Sequence, residues 1–374
     1  MEAFFELLQV AIGSRECLSA SPTKREWQQL MDMAVKQSLT GIAFSAIERL
    51  TKEQWPPKEL VFQWVGIVNA IEQQNRRADN VCVYLYGLLR DDGFKCCVLK
   101  GQANHAYYPE ELGDRRICGD IDVWVVPEKD VRHPVRQTLE YLKRKYGLTG
   151  LCYLHASIPD VDGVPVEVHF RPSFMNAPIK SKRFLKLFND FDECVCQKEI
   201  GKGIVIPALK PQYDVIFQML HIYRHLIDEG VGLRQVLDYF FMLKSFTPNP
   251  SLKDERSKYM KTIEHLGMDH FARALMYVLG EVFAMPREYM LCEPSEKDGR
   301  FLLNEILIAG NFGHDDPRMA VLNSNGYLSY RTSQAGRRFK RNMRFFSSYP
   351  EEVCWEPITR VAHFAWKKLK LWRC

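Results

Sequence analysis

The chain has 374 residues, and its 51 Lys and Arg residues against 46 Asp and Glu residues give a formal net charge of +5. Apolar residues make up 46% and charged residues 26%, which is typical of a globular protein with a sizeable core. This composition excludes disordered, collagen-like and coiled-coil proteins. The small net charge does not by itself indicate a nucleic-acid partner.

The cysteines and the first residues indicate a cytoplasmic protein. Eleven cysteines are scattered along the chain without a single C-x-x-C pair, so we expect reduced thiols and no zinc site. The N-terminus lacks the basic start and apolar run of a signal peptide, and no apolar stretch reaches the roughly 18 residues of a membrane span. A transmembrane segment is therefore not expected.

Residues 1–92 are predicted to form an N-terminal helical region. Thr23 and Glu26 have the spacing of a capping box, so a helix is expected to begin at Lys24. A long helix is predicted from Lys58 to Arg90, and the Asp-Asp-Gly sequence that follows is typical of a helix end.

Residues 93–206 are predicted to form a core of strands and helices. Short apolar runs bounded by turn residues predict strands over 96–99, 121–126, 151–158 and 164–170, with a turn at 159–163 between the last two. Edge strands are expected at Val195 and at 204–206, and a helix over 128–145. Helical periodicity then resumes in a C-terminal helical domain over 207–329, in helices at 209–228, 231–246, 255–267, 268–283 and 297–310.

Two carboxylates at the start of one strand indicate a metal site. Asp120 and Asp122 lie two residues apart, so on a strand both side chains project from the same face. Like charges at this spacing are unfavourable unless a cation lies between them, and oxygen ligands of this kind suit Mg²⁺. Glu167 is an unusual acid within a second apolar strand, and it would complete a three-carboxylate cluster if the two strands are neighbours.

A phosphate-binding element is indicated just upstream. The strand that ends at Leu99 is followed by Lys100, Gly101 and Gln102 at the start of a helix. A glycine lets the backbone approach a phosphate closely, and Lys100 adds a positive charge. Together with metal-binding carboxylates, this is the arrangement that a nucleoside triphosphate requires.

These motifs occur in an order that resembles a known family. The motifs are Leu99-Lys100-Gly101, Tyr108-Pro109, Arg116, Asp120-Ile121-Asp122-Val123, Val166-Glu167-Val168-His169, then His221, His225 and Gly232-Leu233-Arg234-Gln235-Val236-Leu237-Asp238. Over about residues 95–240 this order resembles the uncharacterised bacterial nucleotidyltransferase family of the DNA polymerase beta-like superfamily. The resemblance implies an α+β fold in which a polymerase-beta-like core, a small mixed sheet with flanking helices, lies between N-terminal and C-terminal helical regions.

The resemblance also implies an activity and a set of roles. The reaction would move a nucleoside monophosphate from a triphosphate such as ATP to an acceptor hydroxyl, with release of pyrophosphate and with Mg²⁺ or Mn²⁺ as cofactor. A sugar or a cell-surface glycan precursor is the acceptor class that the family suggests. The metal-binding and catalytic residues would be Asp120, Asp122 and Glu167, with Glu167 also drawing the proton from the acceptor. Nucleotide contacts are expected from Lys100, Gly101, Gln102, Arg116 and His169, and further substrate contacts from His221, His225, Arg234 and Asp238.

The sequence departs from the superfamily pattern at two points. Gly101-Gln102 stands where a glycine-serine pair is usual, so the hydroxyl that commonly contacts phosphate is absent. The spacer from Gly101 to Asp120 is also longer than usual, which indicates an inserted loop. Lys100 and Arg116 would then neutralise phosphate in place of the hydroxyl.

Several of these residues also have simpler interpretations. His169 could be a strand histidine whose hydrogen bonds are satisfied, and the pair Arg234 and Asp238 has the spacing of an intrahelical ion pair. His221 and His225 lie four residues apart on one helix face, yet no third ligand is evident, so zinc is not expected. They could contact substrate or pack against another helix.

The basic charge is concentrated in a tail over 330–374. Residues 331–374 contain 11 Lys and Arg residues and three acids, a charge of +8, which leaves −3 for the first 330 residues. Two basic helices are predicted, around 336–346 and 357–372, the second amphipathic. It could bind an anionic membrane surface, which would place the protein at the periphery of the inner membrane, or an acidic polymer such as RNA. We prefer a third interpretation, in which its apolar face packs on the helical domain and its lysines face water.

The sequence is also compatible with two further functions. The same fold could bind a nucleotide or a partner without turnover, or the carboxylates could serve a metal-dependent phosphoesterase. The complete set of three acids favours catalysis over binding alone.

Overall fold

The chain folds around a mixed β-sheet with helices on both faces, as a computed structural model describes for residues 1–129, 131–246, 252–314, 316–319 and 327–373. The predicted α+β class, with a small mixed sheet between helical regions, is confirmed. The division of the chain at residues 92, 206 and 329 stays a prediction.

The N-terminal region is helical. It contains α1 (Glu2–Ala11), α2 (Lys24–Lys36), α3 (Thr40–Arg49) and α4 (Lys58–Asp91). The capping box at the start of α2 is confirmed, because the Glu26 N–H donates to Thr23 Oγ1 over 3.3 Å and the Thr23 N–H donates to the Glu26 carboxylate over 2.7 Å. Each bond satisfies a backbone donor that the first helical turn leaves free.

The sheet follows α4. Its strands are β1 (Phe94–Val98), β2 (Ile121–Pro127), β3 (Gly150–Leu151), β4 (His155–Val161), β5 (Val164–His169), β6 (Val195–Glu199) and β7 (Val205–Leu209), in the spatial order β3-β4-β5-β2-β1-β7-β6. The pairs β2–β5 and β1–β7 are parallel, and the other neighbouring pairs are antiparallel. The parallel pairing of β2 with β5 places the two predicted acidic strands side by side.

Two details of the predicted strands differ from the structure. The strand expected over 151–158 is two strands, β3 and β4, and β4 continues through Pro159 to Val161 because the register shifts by a bulge between Ile158 and Val161. The turn is therefore only Asp162 and Gly163, both with positive φ. The strand expected at the edge over 204–206 is the interior strand β7, which passes Pro207 because its pairing with β1 involves Ala208 alone.

The remaining helices lie around the sheet. The helix expected over 128–145 begins at Pro134, where a proline fits the first turn. The helices after β1 are α5 (Glu110–Gly113), α6 (Pro134–Lys145), α7 (Pro178–Leu187), α8 (Phe191–Cys194), α9 (Pro211–Asp228), α10 (Leu233–Ser245), α11 (Leu252–His265), α12 (Asp269–Phe283), α13 (Glu296–Ala309), α14 (Tyr327–Phe345) and α15 (Pro350–Arg373). Short 3₁₀ helices include Gly101–Tyr107 and Asn311–Gly313.

Each face of the sheet has its own core. On one face, Ile121, Val123 and Val125 of β2 pack in a cluster that includes residues of α4 and α6. On the other face, Trp124 belongs to a larger cluster formed mainly by the N-terminal helices and by α9–α13. The alternation along β2 thus gives one apolar face and one face that carries Asp122 next to Trp124.

The preferred interpretation of the tail is wrong. The side of helix α15 that packs on the body carries the buried residues Glu352, Val353 and Glu356, and Thr359 Oγ1 donates to the Asn176 carbonyl over 2.7 Å. Apolar residues at Ile358 and Val361 are instead exposed. None of the helices within the described residues combines the length and apolarity that a membrane crossing requires.

Candidate active site

The strand pairing brings the three predicted acids together. Asp122 lies opposite Glu167 in the parallel pair β2–β5, and Asp120 directly precedes β2. Each of these residues offers a carboxylate oxygen, and the three oxygens lie within 4.8 Å of one another. Only 1% of Asp122 is exposed, so its charge needs a partner.

The donor set fits a hard divalent cation. Three carboxylates in one place supply the oxygen ligands that Mg²⁺ and Mn²⁺ prefer. The Asp122 carboxylate raises the pKa of Asp120, as expected for two like charges that lie close together. The metal role of these three residues stays a prediction, and the geometry is compatible with it.

Two histidines hold the acids in place. His169 Nε2 lies 2.9 Å from Asp122 Oδ1, and His155 Nδ1 lies 3.0 Å from Glu167 Oε2. Burial opposes the charged form of both rings, but the neighbouring acids outweigh it at His169 and raise its pKa. At His155, contacts with Cys152 and Glu167 outweigh burial and raise the pKa to about 10. Contacts with His155 and His169 in turn lower the pKa of Glu167, against the effect of its burial.

His155 was missed by the sequence analysis. It lies opposite His169 in the antiparallel pair β4–β5, so both rings share the face of the sheet that carries Glu167. The register of the predicted hairpin could have indicated this neighbour. His169 itself is bonded to Asp122, and its expected contact with the nucleotide stays a prediction.

Lys100 lies between the two aspartates. Its ammonium nitrogen is 2.7 Å from Asp122 Oδ2 and 3.5 Å from Asp120 Oδ1. Burial favours the neutral amine, but the two acids outweigh it and raise the pKa of Lys100. The side chain is therefore a fixed positive charge at the acidic cluster.

A small cavity of about 30 Å³ lies beside this cluster. Its wall is formed by α9, α10, the loop before β2 and the segment after β1. The lining residues are Lys100, Gly101, Asn104, Arg116, Gly119, Asp120, Gln218, His221, Ile222, Arg234, Gln235, Asp238 and Phe312. The predicted nucleotide-binding segment, one predicted metal ligand and three predicted substrate contacts thus share one cavity.

Gly101 and Gln102 are placed differently. Gly101 lines the cavity with φ +64°, a backbone conformation that favours glycine. The Gln102 side chain is buried and donates to Asp79 Oδ1 of α4 over 2.6 Å. It is not among the cavity-lining residues, and its expected contact with the nucleotide stays a prediction.

Arg116 and Asp238 form a buried ion pair. Arg116 Nε and one terminal nitrogen donate to the two Asp238 oxygens over 2.6 and 2.7 Å, and the Tyr108 hydroxyl donates to the same carboxylate over 2.8 Å. Burial opposes ionisation, but the Arg116 guanidinium outweighs it and lowers the pKa of Asp238. The pair joins the loop before β2 to α10, so direct contact of Arg116 with phosphate, and of Asp238 with substrate, stays a prediction.

Arg234 is a cavity-lining cation with a buried nitrogen left unbonded. It donates to the Ile117 carbonyl over 2.8 Å, while its buried Nε has no hydrogen-bond partner. Burial and the nearby Arg116 charge lower its pKa to about 10. A guanidinium held in a cavity without a carboxylate partner of its own suits an anionic ligand.

The two helical histidines lie at different depths. His221 lines the cavity, and burial lowers its pKa well below the usual range. His225 packs its ring against His221 at 4.2 Å and has Glu229 Oε1 2.5 Å from its Nδ1. Among the described residues, neither belongs to a group of three ligands for a metal ion. Their contact with substrate stays a prediction.

Phe312 also lines the cavity, and no sequence motif indicated this residue. It lies in the short helix after α13 with φ +54°, an uncommon conformation for an aromatic residue. Its ring lies 5.1 Å from that of His225, and the Arg234 guanidinium stands over it at 5.8 Å. Such strain is retained where the surroundings impose it, often at ligand sites.

One of three comparisons with known proteins shows the family of this chain. A crystal structure of an antigenic nucleotidyltransferase-like protein from Paracoccidioides brasiliensis matches 55% of this chain and 92% of its own, with 12% identity and a TM-score of 0.33. A search of curated proteins finds no match to the chain. The family model of uncharacterised nucleotidyltransferases matches residues 23–284, which is most of the chain and includes every predicted site residue. The chain therefore belongs to this family of uncharacterised nucleotidyltransferases.

Proposed function

We propose that this protein is a Mg²⁺- or Mn²⁺-dependent nucleotidyltransferase. It moves a nucleoside monophosphate from a nucleoside triphosphate to an acceptor hydroxyl and releases pyrophosphate. The family supports nucleotidyl transfer in general. The observation that carries the finer proposal is the cluster of Asp120, Asp122 and Glu167 beside a cavity lined by Lys100 and Arg234.

The chain's own residues can hold the triphosphate. Gly101 brings backbone to the cavity wall without a side chain, and Lys100 and Arg234 place two positive charges there. Phosphoryl and nucleotidyl transfer depend mainly on positioning and charge neutralisation, which these groups provide. Arg116 acts through Asp238 by holding the loop that carries Asp120.

The acids would hold the metal and handle the acceptor proton. Asp120, Asp122 and Glu167 would be the ligands, and a divalent cation bound there would neutralise charge on the phosphates. His155 and His169 keep Glu167 ionised, so it has room for a proton from an acceptor hydroxyl, but its lowered pKa makes it a weak base. His169 fixes the orientation of Asp122 through the 2.9 Å contact.

We assign the acceptor to a second cleft, of about 380 Å³, that shares Phe312 with the first. It combines aromatic rings with carboxylates and guanidinium groups. Its lining residues are Phe174, Asn176, Asp228, Glu229, Phe312, Gly313, Arg338, Glu356, Thr359, Arg360 and His363. Aromatic rings can contact the apolar faces of a sugar, and hydrogen-bond donors and acceptors can contact its hydroxyls. A sugar or glycan precursor is therefore the acceptor class we propose.

Labelled nucleotide tests the reaction. Purified protein is incubated with α-³²P-labelled triphosphates, Mg²⁺ and a cell extract separated into glycan, lipid, protein and RNA fractions. We expect pyrophosphate release with label in the glycan or lipid-linked glycan fraction. Label in protein or RNA would overturn the acceptor class while leaving nucleotidyl transfer intact.

Variants separate the proposal from its rivals. Asp122→Asn should abolish transfer, whereas Asp160→Asn on the exposed end of β4 should leave it unchanged. Tight triphosphate binding without turnover would support a non-catalytic binding protein. Release of inorganic phosphate from a monoester, without pyrophosphate, would support a phosphoesterase.

A further inference from the structure

The last helix presents its apolar side to solvent. Trp355, Ile358, Val361, Phe364 and Leu369 of α15 are all exposed, and Val361 reaches 68%. We name these five residues the outward face. At 100° per residue they occupy about half of the helix circumference, from Phe364 through Val361, Ile358 and Leu369 to Trp355.

The opposite side of α15 is firmly attached to the body. The Glu352 carboxylate accepts the N–H groups of Asn176 and Ala177 over 2.7 and 3.2 Å. The His363 ring stacks on Tyr153 at 3.9 Å and 7° between planes. These contacts fix the rotation of the helix about its axis, so the exposure of the outward face follows from the packing of the other side.

The charged side chains of α15 differ in exposure. Two of the three acids of the tail, Glu352 and Glu356, are buried, while Glu351 is exposed and pairs with Lys180 of the body at 2.6 Å. On the outward side, Lys368 is exposed, and its ammonium stands 5.6 Å from the centre of the Phe364 ring. The exposed side of α15 therefore combines large apolar side chains with positive charge.

Helix α14 shows the same pattern. Phe339 and Met343 are 66% and 57% exposed, and Lys340 is exposed between them. The opposite side is anchored by Arg341, which is buried and donates to the Leu226 and Ile227 carbonyls over 2.6 and 2.8 Å. No acidic residue occurs in the sequence from 327 to 349. Two helices thus expose apolar and basic side chains together.

We infer that the outward face of α15 docks on an anionic lipid membrane. Apolar side chains of this kind enter the boundary between headgroups and acyl chains, while neighbouring lysines contact acidic headgroups. An acidic polymer would use the lysines but would leave Ile358, Val361 and Leu369 in water. A second copy of the chain would bring two positive surfaces together. Lipid is the occupant that matches both the apolar and the charged side chains.

Vesicle sedimentation tests the inference and requires no nucleotide. The full chain is mixed with vesicles of phosphatidylcholine alone or with about 30% phosphatidylglycerol. We expect binding to the anionic vesicles that weakens as salt is raised, because the charges are exposed. The double variant Val361→Gln/Phe364→Gln should reduce partitioning by about tenfold or more. Phe62→Gln, which changes a 75% exposed residue on α4, is the matched control and should bind like the wild type.

Other outcomes would overturn the inference. These are no binding to anionic vesicles, or equal binding by the double variant. A dimer in light scattering that the double variant loses would identify a second copy, and retention on RNA without vesicle binding would identify an acidic polymer. Unchanged thermal unfolding of the double variant shows that it folds. Asp122→Asn should bind vesicles normally, so failure of the proposed reaction would not affect this result.

Discussion

The Lys100 ammonium lies 2.7 Å from Oδ2 of Asp122, the most deeply buried of the three clustered acids. A fixed positive charge at this distance opposes the binding of a divalent cation to the same carboxylate. The same ammonium can also neutralise phosphate charge when a triphosphate enters the cavity. In the proposed reaction the lysine would therefore couple metal binding to nucleotide binding.

Removal of that charge should strengthen metal binding and weaken nucleotide binding. For Lys100→Gln we expect Mn²⁺ to bind about tenfold more tightly, since the competing ammonium is lost. The KM for the triphosphate should rise, because one phosphate contact is removed. Titration calorimetry with Mn²⁺ measures the first effect. Lys95→Gln, whose partner is Asp192, should change neither quantity, and weaker Mn²⁺ binding in Lys100→Gln would contradict the expectation.

The histidine behind Asp122 should affect rate more than nucleotide affinity. His169→Gln keeps a hydrogen-bonding group but no imidazolium, so we expect a loss of about 10- to 100-fold in metal affinity or kcat. The KM for the triphosphate should change little. Steady-state kinetics at several Mg²⁺ concentrations separate a change in kcat or metal affinity from a change in the KM for the triphosphate. If excess Mg²⁺ restores the rate, the histidine acts by orienting the metal ligand, whereas an increase in KM alone would indicate direct nucleotide contact.

The buried pair Arg116–Asp238 should contribute strongly to stability. Asp238→Asn leaves a buried guanidinium without its counter-ion, and we expect the free energy of unfolding to fall by about 3–5 kcal/mol. Tyr108→Phe removes one hydrogen bond to the same carboxylate and should cost about 1 kcal/mol. Urea unfolding measures both. A loss in Asp238→Asn no larger than that in Tyr108→Phe would contradict this expectation.

The same pair should make stability sensitive to acid. The pKa of Asp238 is lowered in the folded state, so its stabilising contribution is present above the pKa of an unfolded aspartate and is lost as pH falls through the folded value. The wild type should therefore lose more stability on acidification than Asp238→Asn does. Urea unfolding at neutral pH and at a pH below about 4, the pKa of an unfolded aspartate, gives the comparison, and parallel curves for the two proteins would argue against it.

Phe312 allows backbone strain and ring contact to be tested separately. Phe312→Gly relieves the positive φ and removes the ring, whereas Phe312→Ala removes the ring and keeps the strain. We expect the glycine variant to be about 1 kcal/mol more stable than the alanine variant. Both should show a raised KM for a substrate that contacts the ring. Equal stability of the two variants would mean that the backbone relaxes, and an unchanged KM in both would remove Phe312 from the binding site.

The sequence predicted those parts of the site that depend on local pattern. Alternation along β2 was enough to place Asp120 and Asp122 on one face, and an acid in a second apolar strand indicated Glu167. Local pattern could not show that Arg116 pairs with Asp238, 122 residues later in the chain, because both residues were equally suited to contact a ligand. Phe312 was missed because its importance comes from a loop conformation that side-chain type does not encode.

The tail shows a second limit of prediction from the sequence pattern. Amphipathicity predicted a helix there, and the structure contains α15 over Pro350–Arg373. The expected orientation was wrong because specific polar contacts, Glu352 with the backbone at Asn176 and His363 with Tyr153, outweigh burial of the apolar side. The spacing of apolar residues along a helix distinguishes its two sides but does not show which of them meets the body.

Helix α15 also takes part in the second cleft, since Thr359 and His363 line it while Val361 and Phe364 point away from the body. The width of a single helix therefore separates the proposed acceptor from the proposed membrane surface. An acceptor anchored in that membrane would reach the cleft by lateral diffusion, and its surface density, not its amount per volume of solution, would set the rate. Dilution of the lipid-linked acceptor with inert lipid at a constant total amount should then slow transfer.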